Sequence, residues 1–462
     1  MTHPHPEAAD LPETSVSRWN PYPETRDSGV DWLGAIPAHW SIGRLKFLCE
    51  SIQTGPFGSQ LHAEEYIQGG IPVINPSHVV NGQLVPDEVI TVDQETWKRL
   101  ERHHLRKGDV VFARRGEMGR CGLVSTAQEG WICSTGSLRV RLDTITAFPP
   151  FINIFLSLKD VKEWLELNSV GSTLDNLNTA IVGNIVLAVP PLPEQHAIAA
   201  FLDRETAELD ALIAKKRELI ATLHEQRSAI ISHAVTKGLN PDVPMKDSGI
   251  EWIGDIPAHW ESPKLKWVAR LESGHTPSRQ VPEYWVNCTI PWVSLADVGR
   301  FRDDHTEVIQ DTGEMISELG LANSAARLLP TETVILSRTA SVGFSVILGK
   351  PMATTQDFVN WICSEYLYPP YLLYCFRAMR SELARLTMGS THQTIYMPDV
   401  ARFAVPLPPL EEQTAIVEHI RSEKRHIDEL IAKTEGTISH LQEYRAALIS
   451  AAVTGKIDVR GE

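Results

Sequence analysis

No apolar run in this 462-residue chain approaches the ~18–20 residues that a membrane span requires. The opening Met1-Thr-His-Pro-His-Pro lacks the basic and apolar regions of a secretory leader. Residues 1–24 read as a flexible tail. Cysteine is scarce: Cys49, Cys121, Cys133, Cys288, Cys363 and Cys375 form no Cys-x-x-Cys pair. That argues against a zinc site or a disulfide framework, and for reduced thiols in a cytoplasmic protein. There is no Gly-x-x-x-x-Gly-Lys-Ser/Thr phosphate loop; Gly343 to Lys350 has the wrong spacing and Pro351 follows. Gly-x-Gly-x-x-Gly and His-Glu-x-x-His are missing too. Positive charge is short, with 43 Lys and Arg against 58 Asp and Glu, a net −15. Taken alone, that disfavours a nucleic-acid binder, because phosphate contacts need cations. The exception lies between Lys98 and Arg120, where Arg99, Arg102, Arg106, Lys107, Arg114 and Arg115 are opposed only by Glu101, Asp109 and Glu117. A local positive face on an acidic molecule is therefore allowed.

What is present is present twice. Arg26-Asp-Ser-Gly-Val-Asp-Trp-Leu-Gly-Ala-Ile-Pro-Ala-His-Trp40 returns as Lys246-Asp-Ser-Gly-Ile-Glu-Trp-Ile-Gly-Asp-Ile-Pro-Ala-His-Trp260. The repeat is too long for a solenoid unit and long enough for a domain plus a connector. After each anchor comes a mixed region. Gly70-Ile-Pro-Val-Ile74 corresponds to Thr289-Ile-Pro-Trp-Val293, and both read as short buried strands. Gly108–Gly116 corresponds to Thr331–Thr339, an apolar strand running into Arg114 or Arg338. One helical stretch is expected in each, Phe151–Asn168 and Tyr371–Thr387, followed by Gly171-Ser-Thr173 and Gly389-Ser-Thr391.

The third piece opens with Val189-Pro-Pro-Leu-Pro-Glu-Gln195, which aligns without gaps on Leu407-Pro-Pro-Leu-Glu-Glu-Gln413. Prolines bar a helix upstream, acidic residues suit a first turn, and Gly238 and Gly455 supply the stops. Between these marks the spacing predicts a helix of about 65 Å at ~1.5 Å per residue. Its expected seam is Ile198, Leu202, Leu209, Leu212, Leu219, Leu223 and Ile230. In the second copy it is Ile416, Ile420, Ile427, Leu430, Ile438, Leu441 and Leu448. Steps of three, four and seven make a narrow stripe that must be buried on another helix. Its own repeat, packed antiparallel about a pseudo-two-fold axis, is the expected partner; packing on the adjoining globular region is the alternative.

Phe148-Pro-Pro-Phe151 and Tyr368-Pro-Pro-Tyr371 imitate the Asn/Asp-Pro-Pro-Tyr/Phe signature of amino-group DNA methyltransferases. A ring stands where that signature needs an amide or carboxylate acceptor, and proline is natural in a first helical turn. His39 and His259 belong to the anchor and read as packed histidines with hydrogen-bonded rings.

The anchor and the Pro-Pro-Leu-x-Glu-Gln entry to a long helix, each present twice, resemble the specificity subunit of type I restriction–modification systems. The resemblance covers the chain from about Thr25 to Val459. It implies an α+β fold with two mixed target recognition domains, joined by two long antiparallel helices in an internal repeat. Residues 25–189 and 239–407 would be the recognition domains, each with its anchor. Residues 190–238 and 408–462 would be the helices, the latter with a short C-terminal tail. Each domain would read one half of a split double-stranded DNA target. The helices would set the spacing and dock methyltransferase subunits, two of them, with restriction and translocation subunits where present. The chain itself would have no catalytic centre; S-adenosylmethionine, ATP and Mg would sit on partners.

Bipartite readers place two modules about one DNA turn, ~34 Å, apart, and a helix pair is a stiff ruler for that task. Arg115, Gly116 and Arg120 correspond to Thr339, Ala340 and Phe344, so the half-sites should differ. The matched Arg114 and Arg338 are candidates for a shared phosphate contact or for a structural salt bridge. Further DNA-binding candidates are Arg106, Lys107, Arg115 and Arg120 in the first copy and Arg279, Arg300, Arg302 and Arg327 in the second. Gln60, beside Gly58-Ser59, and Gln393, beside Ser390-Thr391, are candidate base readers, since amides suit adenine edges. Two other classes compete: a coiled-coil adaptor that binds proteins without DNA, and a self-sufficient methyltransferase, for which no cofactor site is legible.

Overall fold

The computed structural model describes residues 19–57, 59–80, 82–114, 119–169, 177–387 and 393–461. The chain forms two compact units: residues 1–215 together with 436–462, and residues 216–435. The first unit contains β1 (Ser41–Arg44), β2 (Cys49–Thr54), β3 (Val110–Ala113), β4 (Cys121–Leu123) and β5 (Ser137–Leu142). It continues with α1 (Pro149–Leu156), α2 (Lys159–Asn168), β6 (Val186–Val189) and the first half of α3 (Leu192–Lys237). Its main sheet has the order β4-β3-β5-β2, all antiparallel. β3 is apolar at every position because both its faces are covered. Val110 and Phe112 enter the core shared with α1, while Val111 faces a second cluster around Ile74 and Cys133. β1 pairs with β6, which brings the stretch after the anchor against the strand that leads into α3.

The second unit repeats this plan. β7 (Ala269–Ser273), β8 (Val308–Ile309), β9 (Val334–Ser337), β10 (Ser345–Leu348) and β11 (Phe358–Cys363) form a sheet ordered β7-β11-β9-β10-β8. β8 is an added parallel strand. α4 (Pro369–Ala378), α5 (Arg380–Arg385) and the first part of α6 (Leu410–Val453) complete it. The fold is thus α+β, with two mixed domains and two long helices.

Three expectations are corrected. The tail is shorter than 24 residues: Trp19 and Tyr22 are buried, and Trp19 meets the Phe201 ring edge-on at 4.7 Å. Both mid-domain helices are broken in two. Leu158 turns extended, with ψ 145°, between α1 and α2, and Met379 separates α4 from α5. At each break an apolar side chain, Leu158 or Met379, is buried in the core, and Met379 N still donates to Cys375 O at 2.9 Å. The Gly-Ser-Thr segments at 171–173 and 389–391 lie outside the described residues, as do Arg115, Gly58 and Glu117.

The helix seam departs from the heptad expectation at three positions. α3 has 46 residues and α6 has 44. In the first unit, early α3 meets late α6, with Arg445 Nε 2.9 Å from Asp210 Oδ1. In the second unit, late α3 meets early α6, with Arg227 Nη1 3.0 Å from Asp428 Oδ1. The helices are therefore antiparallel. The two bridges use the same repeat positions, since 428 − 210 and 445 − 227 are both 218. One self-complementary ion pair is formed twice. Leu223 packs with Ile427 and Ile431, Ile230 joins them, and Leu209 and Leu448 share a core. Ile198, Leu202, Ile416 and Ile420 are buried in the domain cores, and Ile438 and Leu441 are half-buried. Leu212, Leu219 and Leu430, however, are 41%, 43% and 39% exposed. Ile213, Ile220 and Ile431, one position further on, turn inward instead. A 3.6-residue helix drifts against a seven-residue frame, so a strict heptad count slips along a helix of this length.

Candidate nucleic-acid interface

The repeated motifs meet at one junction in each unit. The Glu194 carboxylate, 6% exposed in the first turn of α3, accepts from Tyr22 Oη at 2.6 Å and Trp40 Nε1 at 3.1 Å, and pairs with His39 Nε2 at 2.8 Å. In the second unit, Glu412 takes Trp260 Nε1 and His259 Nε2, both at 2.8 Å. A carboxylate at a helix start also faces the positive end of the dipole. The neighbouring glutamine ties in the Pro-Pro segment. Phe148 N donates to Gln195 Oε1 and Tyr368 N to Gln413 Oε1, each at 2.8 Å. The anchor, the helix entry and the methyltransferase look-alike are thus parts of one structural joint. Burial, followed by the Glu194 hydrogen bond and charge, holds the Tyr22 hydroxyl protonated far above the usual phenol range.

The end of the other long helix closes each joint. Gly455, at φ +74°, lies so close that a Cβ there would sit 2.2 Å from Pro37 Cδ. Lys456 Nζ donates to Leu33 O at 2.8 Å, and Asp458 N donates to Asn20 O at 2.8 Å. In the second unit, Gly238 stands in the same way under the Trp260 ring.

At the sheet edge away from this joint, four loops converge in each unit. β2 ends and β5 begins there, so Gly55 N donates to Ser137 O. One arginine gathers the loops. Arg114 Nε donates to Leu177 O at 3.0 Å and Nη1 to Thr135 O at 3.2 Å. Arg338 Nε donates to Gln356 O at 3.0 Å and Nη1 to Ile395 O at 3.2 Å. Among the described residues, both matched arginines clamp loops through backbone carbonyls. What the clamp presents differs between the units. Thr135 turns its hydroxyl back onto Pro56 O. Gln356 is exposed, and its Oε1 accepts from Thr276 Oγ1 at 2.7 Å, which leaves its Nε2 without a partner among the described residues. Gln393 lies on the same loop cluster, where Ala340 N donates to its carbonyl at 2.8 Å. Ala340 holds φ +59°, a left-handed turn rare for a non-glycine residue.

The other candidates scatter. Gln60 is exposed on the loop after β2, its Oε1 bonded to Phe57 N at 3.1 Å. Arg120 flanks the β3–β4 turn and has a partner. Arg106 and Lys107 lie at the opposite end of β3; with Arg102 they are exposed, and their side chains have no partner among the described residues. Beneath that loop, Asp109 is buried with Arg141 at 2.7 Å, and Arg139 holds the Arg102 and His104 carbonyls. Arg139 and Arg141 carried no signal in the sequence beyond their charge. Arg279 is engaged by Glu314 at 2.8 Å and stacks 4.3 Å from the Trp285 ring. Arg300 donates to Asp311 O at 2.9 Å, and Arg327 to Ala326 O at 3.1 Å. Arg302 reaches the loop cluster through Ser341 Oγ at 3.0 Å.

In the second unit an ionic cluster joins α6 to the domain. Asp304 takes both Arg380 Nη atoms at 2.7 Å, and Glu307 takes Arg421 Nη2 at 2.7 Å and Tyr374 Oη. Burial raises the proton affinity of both carboxyls, but the arginine bonds and charges outweigh it and hold them below the usual carboxylate range. Among the described residues no group of three or more His, Cys, Asp or Glu is placed to hold a metal. Burial pushes the Cys49, Cys121, Cys133 and Cys363 thiols up to about 12, so none is a ready nucleophile. Among the described residues no helix is long and apolar enough to cross a membrane.

The family described as type I restriction modification DNA specificity domain matches residues 37–222 and 257–439. The type I restriction enzyme MjaVIII specificity subunit of Methanocaldococcus jannaschii is 26% identical over 432 residues, 92% of this chain and 94% of the relative. The EcoKI specificity subunit of Escherichia coli is 20% identical over 92% of this chain and 90% of its own. The HsdS subunit from Thermoanaerobacter tengcongensis shares the fold at a TM-score of 0.56, with 20% identity over 91% of this chain and 98% of that one. A chain solved in work on the assembly and conformational transition of the type I R-M system aligns at 0.66, with 19% identity over 90% and 98%.

Proposed function

This chain belongs to the type I restriction–modification DNA specificity family and has its DNA sequence-specificity role, and we propose that each unit reads one half of an asymmetric bipartite target on double-stranded DNA. The observation that carries the asymmetry is the arginine clamp. The same scaffold holds a half-buried Thr135, its hydroxyl bonded back to Pro56 O, in one unit and an exposed Gln356 in the other. In this reading the loop cluster, with Gln60 and Arg120 in the first unit and Gln356, Gln393 and Arg302 in the second, contacts base edges. Arg102, Arg106 and Lys107 contact phosphates. β3 spans about 13 Å at ~3.3 Å per residue. That is close to the ~12 Å width of a major groove, so its two ends suit a base edge and a flanking phosphate.

Members of this family work with methyltransferase and restriction subunits and with DNA. For this chain we infer two methyltransferase copies, with S-adenosylmethionine, ATP and Mg held by partners and no catalytic step in the chain itself. α3 and α6 serve as the spacer. The net −15 agrees with weak DNA binding by the chain alone, much of the basic surface coming from partners. The adaptor reading explains the repeat but not the family match.

The test is a reconstituted complex with its host methyltransferase. Methylated adenines should map to one split motif with unlike halves, and DNA affinity should fall linearly with salt on a log–log plot. A flat salt response, or methylation without a split motif, would overturn the reading.

A further inference from the structure

Surfaces that read different half-sites must differ between the copies, whereas a surface that meets the same partner twice must be kept. Among the described residues, one exposed aromatic position is kept. Residues 41–48 and 261–268 share the same exposure pattern, position by position. In each, a short turn pins a fully buried leucine, Leu45 or Leu265, and turns the next two residues to solvent. Those two are Lys46 and Phe47 in the first unit and Lys266 and Trp267 in the second. Phe47 is 74% exposed and Trp267 70%. Single exposed apolar residues are ordinary. A large aromatic exposed at the same place in both copies serves no packing that the fold needs, and aromatics are the usual anchors of protein interfaces.

The surroundings are basic in both units. Arg44 Nη1 and Lys46 Nζ converge at 3.2 Å on Asn184 Oδ1, and Lys46 Nζ lies 5.2 Å from the Phe47 ring. In the second unit Lys264 and Lys266 flank the exposed ring, Lys264 Nζ 6.0 Å from it, and Arg402, paired with Asp399 at 3.6 Å, takes the repeat position of Asn184. On a chain of net −15, lysines beside an exposed aromatic in both copies call for an acidic partner. The turn leads into the start of β2 or β7, the sheet end beside the joint and away from the reading loops. On the specificity-subunit reading, we propose that Phe47 and Trp267 are the anchors of two equivalent docking sites, each taking one methyltransferase subunit through an apolar pocket rimmed by carboxylates.

The test uses the full chain co-expressed with its methyltransferase, with copies counted by native mass spectrometry and affinity measured by titration. Phe47→Ala and Trp267→Ala should each keep one copy and bind the other at least ~tenfold more weakly. The double variant should bind neither tightly, and Lys46→Glu with Lys266→Glu should act in the same direction. Thermal unfolding of the chain should not change, because neither ring is packed. Two copies on the double variant at wild-type affinity would overturn the proposal. Two copies kept with DNA affinity uniformly lowered would also overturn it, assigning the turns to the duplex backbone instead. If the unmodified chain gathers no methyltransferase, the specificity-subunit reading falls, and the docking sites with it.

Discussion

Gln356 gains its position from two partners, the Arg338 clamp on its carbonyl and the Thr276 hydroxyl on its amide oxygen. Gln356→Ala should cost about 1–3 kcal/mol of discrimination at one base pair. Methylation mapping should then show one relaxed position in one half-site and an unchanged other half; an intact motif would remove Gln356 from the reading surface. The acidic partners of the α6 cluster give a second expectation. Asp304 and Glu307 have folded-state pKa values below their ordinary ones, so their contribution is present at neutral pH and is lost as pH falls through the folded values. Urea unfolding followed from pH 7 to pH 3 should show the second unit losing stability with acid, and less so with Asp304→Asn and Glu307→Gln together. An equal acid response in that double variant would contradict it. At this scale the sequence showed which residues recur but not what they touch. The sequence matches Arg114 with Arg338, but not the backbone carbonyls that both hold among the described residues, which no side-chain pattern announces. Gln356 has no counterpart signal in the first copy, so only the clamp geometry marks it.

The long helices were legible from proline, glycine and apolar spacing, and their antiparallel pairing appears as one ion pair formed twice. Their inward face was legible only in part, because leucine and isoleucine sit side by side at 212–213 and 430–431. The choice between them depends on accumulated helical drift, which a local window does not contain. Ile213→Ala should cost about 2–3 kcal/mol, as for a buried large-to-small change, while Leu212→Ala should stay within about 0.5 kcal/mol. Chemical denaturation of the two variants measures the difference, and equal costs would restore the heptad frame. Leu158 and Met379 are good helix residues, so the breaks at which their buried side chains sit have no local signal.

For the molecule as a whole, the first unit is completed by residues that come last in the chain. The Lys456–Leu33 bond spans 423 positions, a contact without local signature. In the sequence the anchors and helix entries are repeated marks; that each anchor is clasped by the start of one helix and the end of the other is a property of the three-dimensional structure alone. Truncation after Gly455 removes Lys456, Asp458 and the buried Ile457 and Val459. Hydrogen exchange should then quicken across residues 19–40 while amides of the second unit stay as protected as before; unchanged exchange in 19–40 would show the closure to be dispensable. Because Asp458 and Asn20 are hydrogen-bonded, the backbone between them traces a ring whose seam falls between two neighbours. A ring can be opened anywhere. Joining residue 458 to residue 20 and cutting between Leu239 and Pro244 would yield a permuted polypeptide with the halves in reverse genetic order and both clasps intact. The order in which a gene spells the two reading heads would then carry no information about the DNA they select.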